Sequence, residues 1–166
     1  MSYPVTVRRT WIPATLAGIR TTLDTMAELA RAGAVDRRVR AAAEYIMEGC
    51  AYPGLELRNW LAERWTTVPD PWDVELLSAP GLQLEQFLAD PAGGLQGDCD
   101  DLAILGAALA LARGLPVRYC AISTGMGPLP DHVFAEILEP PGVWIDLDIM
   151  RPADGATATD EVTLVL

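Results

Sequence analysis

Residues 97–122, GDCDDLAILGAALALARGLPVRYCAI, decide the fold of this chain. Asp98 can cap a helix whose following residues are apolar on every side, which is typical of a helix buried in a protein core. Gly114 and Pro116 end that helix, since neither favours its continuation. VRYCAI then has the composition of a strand. The segment predicts a buried helix followed directly by a strand.

Helical patterns dominate the chain before this segment. Apolar residues spaced by three or four positions predict a first helix over about 13–31, ended by Gly33. Asp36 can cap a second helix. A third helix is predicted over about 55–65 and a short one over about 82–88, separated by the proline-rich stretch VPDPWD.

Strand patterns dominate the chain after this segment. HVFAEIL (132–138) and VWIDLDI (143–149) read as strands joined by the turn EPPG, and EVTLVL (161–166) is a weaker candidate. The prediction is a single α+β domain over 1–166, in which helices pack on a small antiparallel sheet. Residues 1–90 form its mainly helical part, and residues 91–166 hold the buried helix and the strands.

Composition excludes several classes of function. The chain is 51% hydrophobic and 21% charged, as in globular proteins. It has no apolar run of about 18 residues and no signal segment at its start, so we expect a cytoplasmic protein that does not enter a membrane. The net charge of -11 disfavours nucleic-acid binding. The acidic residues lie mostly beyond residue 64. They form either a surface that aids solubility or a site that prefers cationic or amine-bearing substrates.

The three cysteines do not indicate a disulfide framework or a metal site. Cys50, Cys99 and Cys120 are odd in number and widely spaced, and no C-x2-C pair occurs. GDCDD lacks the glycine and distal glutamate of a calcium loop. We therefore expect reduced thiols, with Cys50 and Cys120 in the core, and neither metal nor cofactor.

The only histidine, His132, begins a predicted strand. Strand alternation and the EPPG hairpin bring Asp146 or Asp148 beside it. A carboxylate next to an imidazole holds the ring in one orientation and favours its charged form.

Cys99 occupies the first turn of the buried helix, where backbone N–H groups and the helix dipole favour a thiolate. The same N–H groups could stabilise an oxyanion. The neighbouring acids Asp98, Asp100 and Asp101 oppose the thiolate, so a cationic imidazole is needed to offset them. The pattern predicts that Cys99 and His132 meet.

These residues resemble a known family. GDCDDLAILGAALALARGLPVRYCAI resembles the nucleophile segment of transglutaminase-like proteins, which belong to the papain-related cysteine protease superfamily. DHVFAEILEPPGVWIDLD resembles the family's following block, in which the acid stands four residues after a tryptophan. The resemblance implies a transglutaminase-like cysteine proteinase fold and a catalytic triad of Cys99, His132 and Asp148. Val133 departs from the aromatic residue that the family often has after its histidine.

The N-terminal helices and VPDPWDVELLSAP are similar to the short transglutaminase-like proteins of Mu-like phages and prophages. If the chain is phage-encoded, the expected location is the host cytoplasm or the virion. For the side chain of an oxyanion hole, Gln96 and Trp72 are weak candidates, and neither is preferred.

The resemblance implies thiol-dependent acyl transfer on amide bonds of a protein or peptide substrate. With water as acceptor the enzyme is a peptidase or amidase, and with an amine it is a transglutaminase-type acyltransferase. The alternative is a non-catalytic use of the fold as a phage assembly, virion or protein-interaction component.

Overall fold

The computed structural model describes residues 7–10, 15–71, 75–124, 129–150 and 161–166. Its helices are α1 Leu16–Ala34, α2 Arg37–Met47, α3 Pro53–Arg64, α4 Pro80–Ala89 and α5 Cys99–Ala112, with a short 3₁₀ helix at Pro91–Gly93. Its strands are β1 Val7–Thr10, β2 Trp65–Thr67, β3 Glu75–Ser78, β4 Leu95–Gly97, β5 Val117–Ile122, β6 His132–Glu139, β7 Val143–Asp146 and β8 Glu161–Val165. The α+β prediction is confirmed.

Helix α5 lies at the centre of the core. Every residue from Asp101 to Ala110 is buried, and α1, α2 and β6 pack around the helix. Asp98 caps it as predicted, because its side chain accepts the N–H of Asp100 at 3.2 Å. Gly106 allows a close approach on one side, since a Cβ at this position would lie 2.8 Å from Leu147.

The main sheet has the strand order β7-β6-β5-β8, and all of its neighbours are antiparallel. Side chains alternate along β6: Val133, Ala135 and Ile137 join the main core, whereas Phe134 packs in a separate cluster with Cys120 and Ile122. The sheet covers α5 with one face, and His132 begins β6 opposite Ile122.

Two further strand pairs were not predicted. β1 pairs antiparallel with β3, and β2 pairs in parallel with β4. Both pairings join segments that are distant in the sequence. They place β3 and β4 beside the first turn of α5.

The predicted break at Gly33 is wrong. Helix α1 continues through this residue to Ala34, because Gly33 is a packing site rather than a stop. It is buried, and a Cβ there would lie 2.7 Å from the ring of Pro80. The lack of a side chain therefore lets α1 approach α4 closely.

The predicted strand over 143–149 is too long. β7 ends at Asp146, and the backbone then turns because the side chains of Asp146 and Asp148 accept N–H groups two residues ahead of themselves. The EPPG turn is formed, with the N–H of Gly142 donating to the carbonyl of Glu139.

Glu139, the last residue of β6, also holds α3. Its buried carboxylate accepts the N–H groups of Gly54 and Leu55 at the start of that helix, where no local side chain provides a cap. In the part of the chain that the structure describes, no helix is both long and apolar enough to cross a bilayer.

Candidate active site

Cys99 is the first residue of α5 and is partly buried. The turn before it is tight: a Cβ on Gly97 would lie 2.5 Å from the side chain of Asp101. Asp101 in turn accepts the N–H of Ser78 at 2.8 Å, which ties the helix start to β3. Glycine at position 97 is therefore required by close packing.

His132 and Asp148 are in direct contact. His132 Nε2 lies 2.6 Å from Asp148 Oδ2, and the two side chains are 12% and 2% exposed. The other oxygen, Asp148 Oδ1, accepts the N–H of Met150 at 2.8 Å. Because a carboxylate accepts at Oδ2, the ring carries a proton on Nε2, which leaves Nδ1 to accept a proton from another group.

A cavity of about 340 Å³ contains both Cys99 and His132 in its lining. The backbone N–H of Val133, the residue after His132, donates to the Cys99 sulfur. The structure thus places Cys99 and His132 in the lining of one cavity and Asp148 in contact with His132, whereas a direct contact between Cys99 and His132 stays a prediction. Phe134 stacks beside the imidazole, with ring centroids 6.2 Å apart.

The carboxyl groups of Glu75, Asp98, Asp100 and Asp101 form an acidic cluster around Cys99. Burial raises the pKa of Asp98 to about 7, and the charge of Asp101 adds to the effect. Burial also raises the pKa of Asp101 to about 6, although hydrogen bonds from Ser78 oppose it. For Asp100 the pKa lies well above its ordinary value because of burial, a hydrogen bond with Glu75 and the charge of Glu75.

The Cys99 thiol differs from the predicted thiolate. Burial raises its pKa well above the ordinary range, the charges of Asp100 and Asp98 raise it further, and the N–H of Val133 only partly offsets them. The thiol lies 3.6 Å from Asp100 Oδ1, to which it donates. The raised pKa favours a neutral thiol at this position over the predicted thiolate.

The other residues singled out from the sequence lie elsewhere. Gln96 is exposed, and its amide donates to the carbonyl of Gly93 at 3.1 Å. Trp72 lies outside the described residues. Cys120 is buried as predicted, but the core placement of Cys50 is wrong: it is only partly buried, since it follows the end of α2 and donates to the carbonyl of Ile46.

Two contributions were missed by sequence reasoning. Glu75 reaches Asp100 only because β3 pairs with β1 and lies beside α5, and no local motif marks this contact. Asp131 lines the cavity beside His132, and its position directly before the only histidine could have suggested it. Among the described residues, no group of three His, Cys, Asp or Glu side chains is arranged to bind a metal ion.

Comparison of the chain with protein-family models, with curated proteins and with solved structures finds no significant match.

Proposed function

We propose that this protein is a thiol-dependent acyl-transfer enzyme that acts on amide bonds of a protein or peptide, with Cys99 as nucleophile, His132 as general base and acid, and Asp148 as orienting residue. The observation that carries the proposal is the 2.6 Å contact between Asp148 Oδ2 and His132 Nε2, behind a cavity that Cys99 and His132 share. This arrangement is that of a nucleophile, a base and an orienter.

The neutral thiol requires general-base catalysis. As the Cys99 sulfur attacks the amide carbon, its proton passes to Nδ1 of His132, and Asp148 stabilises the imidazolium that forms. The tetrahedral intermediate then collapses, the carbon–nitrogen bond breaks, and the leaving amine takes the proton from Nδ1. The product of this half-reaction is a thioester on Cys99.

The second half-reaction releases the acyl group. Water or an amine gives a proton to His132 and attacks the thioester carbon, the carbon–sulfur bond breaks, and sulfur recovers the proton as a thiol. Hydrolysis is the preferred outcome, because water needs no second binding site.

The cavity favours a substrate with a positive charge near the reacting bond. Glu75, Asp98, Asp100 and Asp131 line it, and among its described lining residues no arginine is present. Ile19, Leu23 and Met26 of α1 provide an apolar wall, so a long side chain with a terminal cation matches both surfaces.

The GDCDD and W-x-x-x-D motifs support assignment to the transglutaminase-like, papain-related superfamily and, less directly, to its short phage and prophage branch. A cytoplasmic or virion location follows from that assignment and is proposed with it.

A non-catalytic role, as a phage assembly, virion or interaction component, is the second candidate. The observation that favours it is the raised pKa of Cys99, since an acidic cluster around a nucleophilic thiol opposes attack. The two candidates differ in whether a thioester forms.

The test is to incubate the protein with a glutamine-bearing peptide that also carries arginine, with and without a fluorescent primary amine. Rapid acid quenching and mass spectrometry should find the acyl group on Cys99, and free acid should be released faster than amine is incorporated. The chain contains no lysine, so labelling cannot arise from crosslinking to its own ε-amines. Gln83 is buried, which leaves the exposed Gln86 and Gln96 as the glutamines to monitor for self-modification.

Cys99→Ala and His132→Ala should abolish the adduct, whereas Cys50→Ser, at a thiol remote from the cavity, should leave it unchanged. Amine incorporation that outpaces hydrolysis would reverse the preference for water. Absence of any adduct, over peptides with and without positive charge, would favour the non-catalytic role.

A further inference from the structure

Asp146 makes a specific contact with the backbone of Asp148. Its Oδ1 accepts the N–H of Asp148 at 2.6 Å, and Asp148 Oδ1 repeats the pattern with the N–H of Met150 at 2.8 Å. These two contacts close successive Asx turns, and the two oxygens of the Asp148 carboxylate have different partners. Oδ1 is held by the backbone, and Oδ2 is directed to His132 Nε2.

Asp148 depends on such a contact because it lies beyond the end of β7. The last backbone bond to the sheet before it is the N–H of Leu147 donating to the carbonyl of Ala135 at 2.9 Å. Leu147 is 1% exposed and packs against Gly106 of α5, so it fixes the position of the chain. At Asp148 itself, Arg58 Nη2 donates to the backbone carbonyl at 3.4 Å, and the turn that Asp146 closes holds the N–H.

The pairing of strands also explains how the carboxylate of Asp146 is accommodated opposite that of Glu136. Register places Asp146 directly opposite Glu136, and Glu136 faces Arg118 on the other side. Arg118 Nε lies 2.5 Å from Glu136 Oε2, which reduces the repulsion between the two facing acids. Asp146 is therefore placed to accept the N–H of Asp148.

We propose that Asp146 is a positioning residue: by accepting the Asp148 N–H, it orients the carboxylate that holds His132. The proposal rests on the proposed function for its catalytic consequence, although the geometric claim can be tested without turnover. The feature required of residue 146 is an acceptor oxygen, rather than a charge. An asparagine retains that oxygen, a serine offers a weaker one, and an alanine has none.

The test compares Asp146→Ala, Asp146→Ser and Asp146→Asn, with Glu44→Ala as a control for loss of an exposed negative charge far from the site. The first readout is proton NMR of the imidazole, which is unambiguous because the chain has one histidine. In the native protein the Nε2 proton should be downfield and protected from exchange. Asp146→Ala should move it upfield or exchange-broaden it, while Asp146→Asn and Glu44→Ala retain the native signal.

The second readout is turnover. Asp146→Ala should lower kcat by about 10- to 100-fold with little change in KM, because misplacement of the base acts on the chemical step. Asp146→Asn should stay within about twofold of the native enzyme, and Asp146→Ser should fall between them, which keeps the test open if the alanine variant does not fold.

A native Nε2 proton signal in folded Asp146→Ala would overturn the proposal, as would an asparagine variant as impaired as the alanine or serine one. If the proposed function is wrong, no variant turns over substrate, yet the NMR comparison still decides whether Asp146 orients the Asp148–His132 pair.

Discussion

Two sets of carboxyl groups near Cys99 behave in opposite ways. Asp148 has a donor for each oxygen, from the backbone of Met150 and from His132 Nε2. In the acidic cluster, by contrast, Glu75 and Asp100 face each other, and burial with mutual repulsion raises the pKa values of the cluster's aspartates. An aspartate carboxylate thus favours a positive imidazole where it contacts His132 and opposes a negative thiolate where it lies near Cys99.

The difference shows that catalysis in this site would depend on the balance between the effect of Asp148 on His132 and the effect of the acidic cluster on Cys99. In the proposed mechanism, Asp148 would favour transfer of the thiol proton to His132, and the acidic cluster would disfavour the sulfur anion that remains. A substrate cation bound between Glu75 and Asp100 would shift that balance toward reaction. The following three substitutions change one side of the comparison at a time.

The largest effect is expected for Asp148→Asn. The amide cannot stabilise an imidazolium as a carboxylate does, so we expect kcat to fall by about a thousandfold. Peptide hydrolysis under single-turnover conditions measures the loss. Asp146→Asn is the matched control, since it changes the same atoms two residues away and preserves the acceptor. Equal losses in the two variants would show that the assignment of Asp148 as the orienting residue is wrong.

Asp98→Asn tests the acidic cluster through stability. The folded-state pKa of Asp98 is raised to about 7 from 3.8, so the folded protein binds a proton that the unfolded chain releases between these values. This group therefore stabilises the fold fully below about pH 4, and the contribution is lost as pH rises to about 7.

Because asparagine caps a helix about as well as aspartate, Asp98→Asn should match the native protein near pH 4 and exceed its unfolding free energy at pH 8 by about 2 kcal/mol, after allowance for solvent screening. Urea unfolding at several pH values measures the difference. A constant difference across this range would mean that Asp98 is not titrating as described.

The smallest effect, and one of opposite sign to Asp148→Asn, is expected for Asp100→Asn. Its charge raises the pKa of Cys99, so its removal should increase the rate of Cys99 alkylation by iodoacetamide severalfold at pH 8. Mass spectrometry after proteolysis separates Cys99 from Cys50 and Cys120. Glu44→Gln, which removes an exposed negative charge, is the control for the change in net charge. A slower alkylation of Cys99 in Asp100→Asn would contradict the conclusion that the acidic cluster raises the pKa of this thiol.

Much of the fold followed from local patterns. The caps at Asp36 and Asp98, the buried helix α5 and the strands β5 and β6 depend on neighbouring residues, and they are present as predicted. Local patterns could not reveal the break after Asp146 or the packing role of Gly33. The break follows from hydrogen bonds between residues two apart, which the alternation of apolar residues does not reveal, whereas Gly33 packs against Pro80, which is distant in the sequence.

The candidate site divides in the same way. Strand alternation left Asp146 and Asp148 open, and the family resemblance selected Asp148 together with Cys99 and His132. The structure places Asp148 against His132 and has Cys99 and His132 in the lining of one cavity. The sequence patterns did not predict that Glu75 would face Asp100, or that Glu139 at the end of β6 would cap α3. Such contacts join residues far apart in the chain, and they form only when the pairing of β1 with β3 and the packing of α3 on β6 are complete.

The sequence by itself determined the order of the helices α1–α5 and of the strands β5–β8, the capped turn that carries Cys99 and the hairpin that brings an aspartate near His132, because each depends on short-range backbone preferences and on the period of apolar residues. Only the tertiary structure decided the state of the thiol. Its pKa is raised first by burial, which depends on the packing of the elements around Cys99, and the charges of the neighbouring Asp100 and Asp98 add to this effect.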